Sequence, residues 1–117
     1  MKFSNEKPIY IQIIDLVMEK ILKDEWKLDD KIPSVRELGS LIEVNPNTVM
    51  RSYDKLQQDE IIYNKRGLGF FVSLDAKDRI LHARRSNFLV HEAPNFFQMA
   101  KLLGISREEL IQLYNDN

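Results

Sequence analysis

Asn47, Thr48, Arg51 and Lys55 follow one another at spacings of one, three and four residues. On a helix that spacing gathers them on one side, and a row of hydrogen-bond donors suits phosphate oxygens and the acceptor edges of bases. The opposite side has Val49, Tyr53 and Leu56 at i, i+4 and i+7, the pattern of a face turned to a core. Asn45 precedes Pro46 where a helix would begin, and proline at the first helical position loses no useful N–H. The start of such a helix is expected to offer unpaired backbone N–H groups to an anion. Just upstream, Ser34 and Glu37 have the spacing of a capping box, followed by Val35, Leu38, Leu41 and Ile42 as one apolar face. Two short helices with a tight junction and a donor-rich second member make a helix-turn-helix.

The stretch after the second helix must form a hairpin. Residues 61–63 (Ile-Ile-Tyr) supply one strand and residues 70–72 (Phe-Phe-Val) the other. Residues 64–69 connect them, with Gly67 and Gly69 permitting positive φ and close approach to a phosphate backbone, and with Lys65 and Arg66 placed to reach a minor groove. Upstream, Pro8 opens a helix whose Ile9, Ile13, Leu16 or Val17, and Ile21 form a stripe, so that it packs across the other two as scaffold. Residues 1–7 are polar and expected to fray, while Trp26 and Leu28 plug the core from a charged connection.

The segments PIYIQI, IPSVREL, VNPNTVMRSY and RGLGFFV together resemble the winged-helix domain of the GntR family of bacterial transcription regulators, the YtrA-type branch in particular, over residues 8–72. The resemblance implies phosphate or base contact for Ser34, Arg36, Asn45, Asn47, Thr48, Gly67 and Gly69, and places an arginine at Arg51 where many family members have it one position earlier, at Met50 here. On the residue pattern, Arg51 is assigned to a guanine and Asn47 to an adenine or a phosphate. Family members usually carry glycine near four positions where this chain has Asp24, Asp29, Glu43 and Glu60. A left-handed Glu43 would cost about 1 kcal/mol, so the turn between the two helices is expected to be looser than the family's.

Composition bounds the rest. A chain of 117 residues can bury one modest core plus an appendage. A formal charge of −1 excludes a wholly basic, histone-like binder but leaves room for a local basic surface made by Lys31, Arg36, Arg51, Lys55, Lys65 and Arg66. With no cysteine there is no disulfide, thiol chemistry or cysteine-bound zinc, which fits a cytoplasmic protein. The apolar run at residues 9–14 is interrupted by Gln12 and followed by Asp15, so no membrane association is expected. His82 and His91 lack partners of metal-ligand type, the Gly67–Gly69 pair lacks a nucleotide-loop context, and no nucleophile stands with a base; neither cofactor, metal nor enzymatic activity is expected.

From Asp75 the periodicity is helical again, with new starts at Pro94 and at the Ser106–Glu109 capping box, giving three short helices. Leu81, Phe88, Phe96, Phe97, Leu102, Leu103, Leu110 and Leu113 are more apolar surface than this length can hide, and are expected to form a dimer interface. The expected architecture is mainly α with a small β wing: a winged helix-turn-helix DNA-binding domain over 1–74 and a short α-helical dimerisation region over 75–117. The expected function is sequence-specific regulation, as a repressor, by a homodimer on a near-palindromic double-stranded DNA operator. A protein- or RNA-interaction module is the alternative, disfavoured because such a module would replace the polar NPNTVMR residues with apolar or acidic ones. A small-molecule effector, if one exists, is expected at the dimer interface, because the tail is too short for a pocketed domain of its own.

Overall fold

The computed structural model describes residues 3–117, which form two compact units divided between Leu81 and His82. In the first, helices α1 (Ile9–Leu22), α2 (Val35–Ile42) and α3 (Pro46–Gln58) precede an antiparallel hairpin of β1 (Ile62–Lys65) and β2 (Gly69–Val72). Helix α4 (Ala76–Asn87) starts in this unit and ends in the second, where a π-helical stretch (Phe88–Glu92), α5 (Ala93–Leu102) and α6 (Arg107–Asn115) come next.

The core of the first unit is the meeting of the apolar stripes: Ile13, Val17 and Ile21 of α1, Leu38 of α2, Val49, Tyr53 and Leu56 of α3, and Ile61, Ile62 and Val72 of the wing. Ala76 and Ile80 of α4 are buried among the first unit's residues. Three expected core residues are not inside: Leu41 is 71% exposed, and Ile9 and Leu28 lie at the surface. Helix α2 is only eight residues long, so its buried side is filled by Leu38, Gly39 and Ile42, and Leu41 falls outside that stripe. Trp26 is half-buried, its ring beneath the Lys20 ammonium. Ahead of α1, the Gln12 side chain receives the Ser4 N–H and donates to the Ser4 and Lys7 carbonyls, at 2.8 to 2.9 Å. From Ser4 onward the start is therefore tied down rather than frayed; Met1 and Lys2 lie outside the described residues.

The turn between α2 and α3 is tight, contrary to the expectation of a loose one. Glu43 caps α2 in the left-handed conformation (φ 57°, ψ 49°), and the Val44 N–H returns to the Gly39 carbonyl at 2.8 Å. A Cβ on Gly39 would lie 2.7 Å from the Val44 carbonyl oxygen, so only glycine fits where the turn folds back on α2. Asp24, Asp29 and Glu60 also have positive φ, so all four acids at family glycine positions keep the glycine-like backbone. Three of them have side-chain partners: Asp24 pairs with Lys77 at 2.8 Å, Glu60 with Arg79 at 2.8 Å, and Asp29 accepts the Tyr63 hydroxyl. Glu43 makes no such contact among the described residues.

The wing is wider than two strands. The Asp29 N–H donates to the Val72 carbonyl, the Val72 N–H to Asp30 and the Ile32 N–H to Phe70, with Lys31 bridging Phe71, so residues 29–32 flank β2 on the side away from β1. In the second unit the helical backbone continues past Pro94, where a break was expected. Proline has no N–H for the carbonyl four residues back; the π stretch, with the Ala93 N–H bonded to the Phe88 carbonyl, places Pro94 in the first turn of α5. Gly104 (φ 71°) ends the helical path and the Ser106–Glu109 capping box, present as expected, starts α6.

The strained and crowded turn positions set two outcomes for stability, both read by chemical denaturation. Glu43→Gly should raise stability by about 1 kcal/mol by relieving left-handed strain, with smaller gains at positions 24, 29 and 60, where a partner is lost. Gly39→Ala should cost about 1 to 3 kcal/mol, because the added methyl meets backbone that can yield only by opening the turn.

Candidate nucleic-acid interface

The capping contacts that position α2 and α3 also occupy backbone N–H groups expected to face a ligand. Ser34 Oγ accepts the Glu37 N–H at 3.1 Å while Glu37 accepts the Ser34 N–H at 3.0 Å. Those contacts, the backbone bond first, hold the Glu37 carboxyl below its ordinary pKa. At the start of α3, Asn45 Oδ1 accepts the Asn47 N–H at 2.8 Å, and the Thr48 and Val49 N–H groups both return to the Asn45 carbonyl. Pro46 has none to give. The free backbone donors expected here are therefore absent from the first turn, and what α3 presents is side chains. Between this turn and α2 runs a groove bordered by Arg36, Gly39 and Ser40 on one side and Asn45, Asn47 and Met50 on the other. Arg36 and Asn47 are exposed along it, and Thr48 is half-buried.

Helix α3 is anchored from behind. Ser52 Oγ, fully buried, donates to the Tyr10 carbonyl at 2.8 Å and so joins α3 to the first turn of α1. The Tyr53 hydroxyl donates to the Pro33 carbonyl at 2.7 Å, fixing α3 to the entry of α2; burial, with Glu37 adding to it, pushes this phenol above its ordinary pKa. The Tyr53 ring meets Phe70 of the wing edge-on. Through these contacts one helix sets the positions of both the groove and the hairpin.

The other expected residues lie further along α3 and in the wing. Arg51 is exposed, but its guanidinium stacks on the Tyr10 ring, 3.6 Å from the centroid. Lys55 pairs with Asp59 one turn on, at 3.3 Å. In the wing, Lys65 pairs in register with Gly69, and the tight turn through Arg66, Gly67 and Leu68 needs φ of 80° at Gly67 and 115° at Gly69. Lys65 Nζ sits 4.6 Å from the Phe71 ring, which itself stacks on Tyr63. Arg66 is exposed at the tip. The structure thus places Arg36, Asn45 and Asn47 along one groove and Lys65, Arg66, Gly67 and Gly69 together at the wing turn.

Besides Lys31, already counted in the basic surface, two residues near these groups, Asp54 and Tyr10, were not singled out by sequence. Lys31 belongs to the wing, its side chain passing so close to Gly69 that a Cβ there would come within 3.1 Å of Cε. Asp54 lies exposed on α3 three residues beyond Arg51. Tyr10 reads as an apolar member of α1 until the fold brings Arg51 onto it. In the second unit, Phe88, Phe96, Phe97, Leu102, Leu103 and Leu113 are all at least half exposed, and Phe96 and Phe97 pack edge-on against each other. Leu81, the last residue of the first unit, is exposed as well, whereas Leu110 is partly covered. No helix among the described residues is long and apolar enough to cross a membrane.

Residues 9–72 match the family described as "Bacterial regulatory proteins, gntR family". The chain is 44% identical over 103 residues to the transcriptional repressor YtrA of Bacillus subtilis, covering 88% of this chain and 78% of that one. It superposes on the crystal structure of a GntR-family regulator from Bacteroides thetaiotaomicron with a TM-score of 0.78, at 45% identity and over 93% and 95% of the two chains. The DNA-binding domain of AraR, solved in complex with an operator, matches with a TM-score of 0.56 and 25% identity over 62% of this chain and 88% of that one. With its helix-turn-helix, two-strand wing and short helical tail, the chain is a member of the GntR family of DNA-binding transcriptional regulators, in its short YtrA-like branch.

Proposed function

We propose that this regulator is a repressor that binds a near-palindromic operator as a homodimer. The observation that carries the reading is the groove between α2 and the start of α3, where Arg36 and Asn47 stand exposed beside a helix whose first-turn backbone donors are occupied. Contact there must come from side chains, which can discriminate bases. The YtrA relative is named a repressor and the AraR domain was solved on an operator, both in keeping with this assignment.

In this reading α3 enters the major groove, with Asn47, Thr48 and Arg51 toward the bases. Ser34, Arg36, Asn45 and Lys55 flank it along the phosphates, while Lys65 and Arg66, with the close approach allowed by Gly67 and Gly69, reach the neighbouring minor groove. The second unit pairs two subunits through Phe88, Phe96, Phe97, Leu102, Leu103 and Leu113, assisted by Leu81 and Leu110. Two recognition helices related by a two-fold axis then meet successive major grooves about 34 Å apart. A protein acting on chromosomal operators works in the cytoplasm. Control by a small molecule, where it operates, falls at the subunit interface.

Anisotropy titrations across salt, on an operator enriched from genomic fragments and on random duplex, test base reading. Arg51→Ala should weaken operator binding by about 1 to 3 kcal/mol per half-site and lower the operator-to-random ratio, whereas Lys65→Ala should weaken both duplexes alike and reduce the salt slope by about 1. An unchanged ratio for Arg51→Ala would remove that residue from base reading. The role of the tail is tested by truncation after Leu81 rather than Leu74, because Ala76 and Ile80 are buried in the first unit. The shortened protein should sediment as a folded monomer, lose roughly 10² to 10⁴ in operator affinity, and become indifferent to half-site spacing. If it stays dimeric and binds as tightly as the whole chain, the tail does not pair the subunits.

A further inference from the structure

Arg51 and Asp54 are three residues apart on α3, close enough for an ion pair along the helix. Of the α3 residues three or four positions from Asp54 (Met50, Arg51, Gln57 and Gln58), Arg51 is the one cation. That pair does not form. The Arg51 guanidinium instead lies 3.6 Å from the centre of the Tyr10 ring, and the Asp54 carboxylate, exposed, has no partner among the described residues. The ring is not loosely placed, since the Tyr10 carbonyl takes the hydroxyl of buried Ser52 at 2.8 Å, on the residue next to Arg51. Helix α3 therefore holds the ring of Tyr10 with one residue, Arg51, and its backbone with the next, Ser52.

An unpaired carboxylate on a helix that approaches DNA is repelled by phosphates, and it has one favourable use there. In the major groove it can accept from an amino group, as Asp and Glu do from N4 of cytosine. An arginine neutralised by that carboxylate would in turn be less available for the two acceptors of a guanine. Stacking on an aromatic face leaves the N–H groups at the guanidinium edge open to hydrogen bonding.

We propose that Tyr10 and Asp54 complete the base-reading surface: the Tyr10 ring holds Arg51 away from Asp54, so that α3 offers a guanidinium to a guanine and a free carboxylate to the amino group of a cytosine. Tyr10 is in this account a positioning residue and Asp54 a specificity-determining one. The inference rests on the assignment of Arg51 to base reading made above.

The test is enrichment from a duplex library randomised across one half-site, comparing the full chain with Arg51→Ala, Tyr10→Leu, Tyr10→Phe, Asp54→Ala and the double variant Tyr10→Leu/Asp54→Ala. Melting of each protein shows that it is folded. Arg51→Ala should relax the preference for guanine at one position, and Asp54→Ala should relax the preference for cytosine at a second by about five- to tenfold. Tyr10→Leu should weaken both preferences by about three- to tenfold, Tyr10→Phe should retain them, and the double variant should regain the guanine preference because Arg51 no longer has a carboxylate to pair with. If Arg51→Ala leaves every position unchanged, the underlying reading fails. If Arg51→Ala relaxes a position that Tyr10→Leu leaves intact, or Tyr10→Phe loses as much as Tyr10→Leu, Tyr10 does not position Arg51 through its ring. Asp54→Ala binding all duplexes more tightly without change of preference would show a carboxylate that only repels phosphate, and would overturn its role.

Discussion

The angle between α2 and α3 depends on one short approach, the passage of the Val44 carbonyl over Gly39. No side chain fits there, and the return bond from the Val44 N–H to the Gly39 carbonyl closes the turn. With that angle set, Val49 and Leu56 turn into the core, the Tyr53 hydroxyl reaches Pro33, and Asn47 comes to stand across a groove from Arg36. The wing takes its place because Phe70 packs against the Tyr53 ring. Every group in the candidate interface is thus referred to a backbone contact that bears no polar side chain itself.

Much of this was legible in the sequence where the governing interactions are local. The Ser34–Glu37 and Ser106–Glu109 capping boxes and the Asn45 cap involve residues two or three apart, so spacing alone reveals them. The apolar stripe of α3 is likewise a property of one helix. The same locality misled at the start of α3, where counting N–H groups that lack a helical partner suggested free donors. The cap that makes the helix start at Asn45 is also what consumes them.

Contacts between distant segments were not legible. Tyr10 and Arg51 are brought together by packing of α1 on α3, and nothing in the IYIQI pattern distinguishes a tyrosine that will meet a guanidinium from one that fills a core. The exposure of Leu41 and the π stretch ahead of Pro94 similarly depend on what surrounds a helix rather than on its own period. The acids at the left-handed positions lie between these cases. Resemblance marked the four sites, but their partners Lys77, Arg79 and Tyr63 could be assigned only from the fold. Exposed pairs of this kind contribute little each, about 0 to 1 kcal/mol, so they offset the backbone strain only in part.

The strand-like pairing of residues 29–32 with β2 bears on how the wing behaves in solution. With β1 on its other side, β2 is flanked on both sides, so among the described residues β1 is the hairpin strand that keeps an open edge. Open edges are templates on which other chains can extend a sheet. Here the edge strand is four residues long and ends in Asn64 and Lys65, and Gly67 bends the chain away at once. A short edge with a cation at its end is a poor template, so the hairpins of copies gathered at high local concentration on neighbouring sites resist joining into a common sheet, and the wing can remain solvent-facing without becoming adhesive.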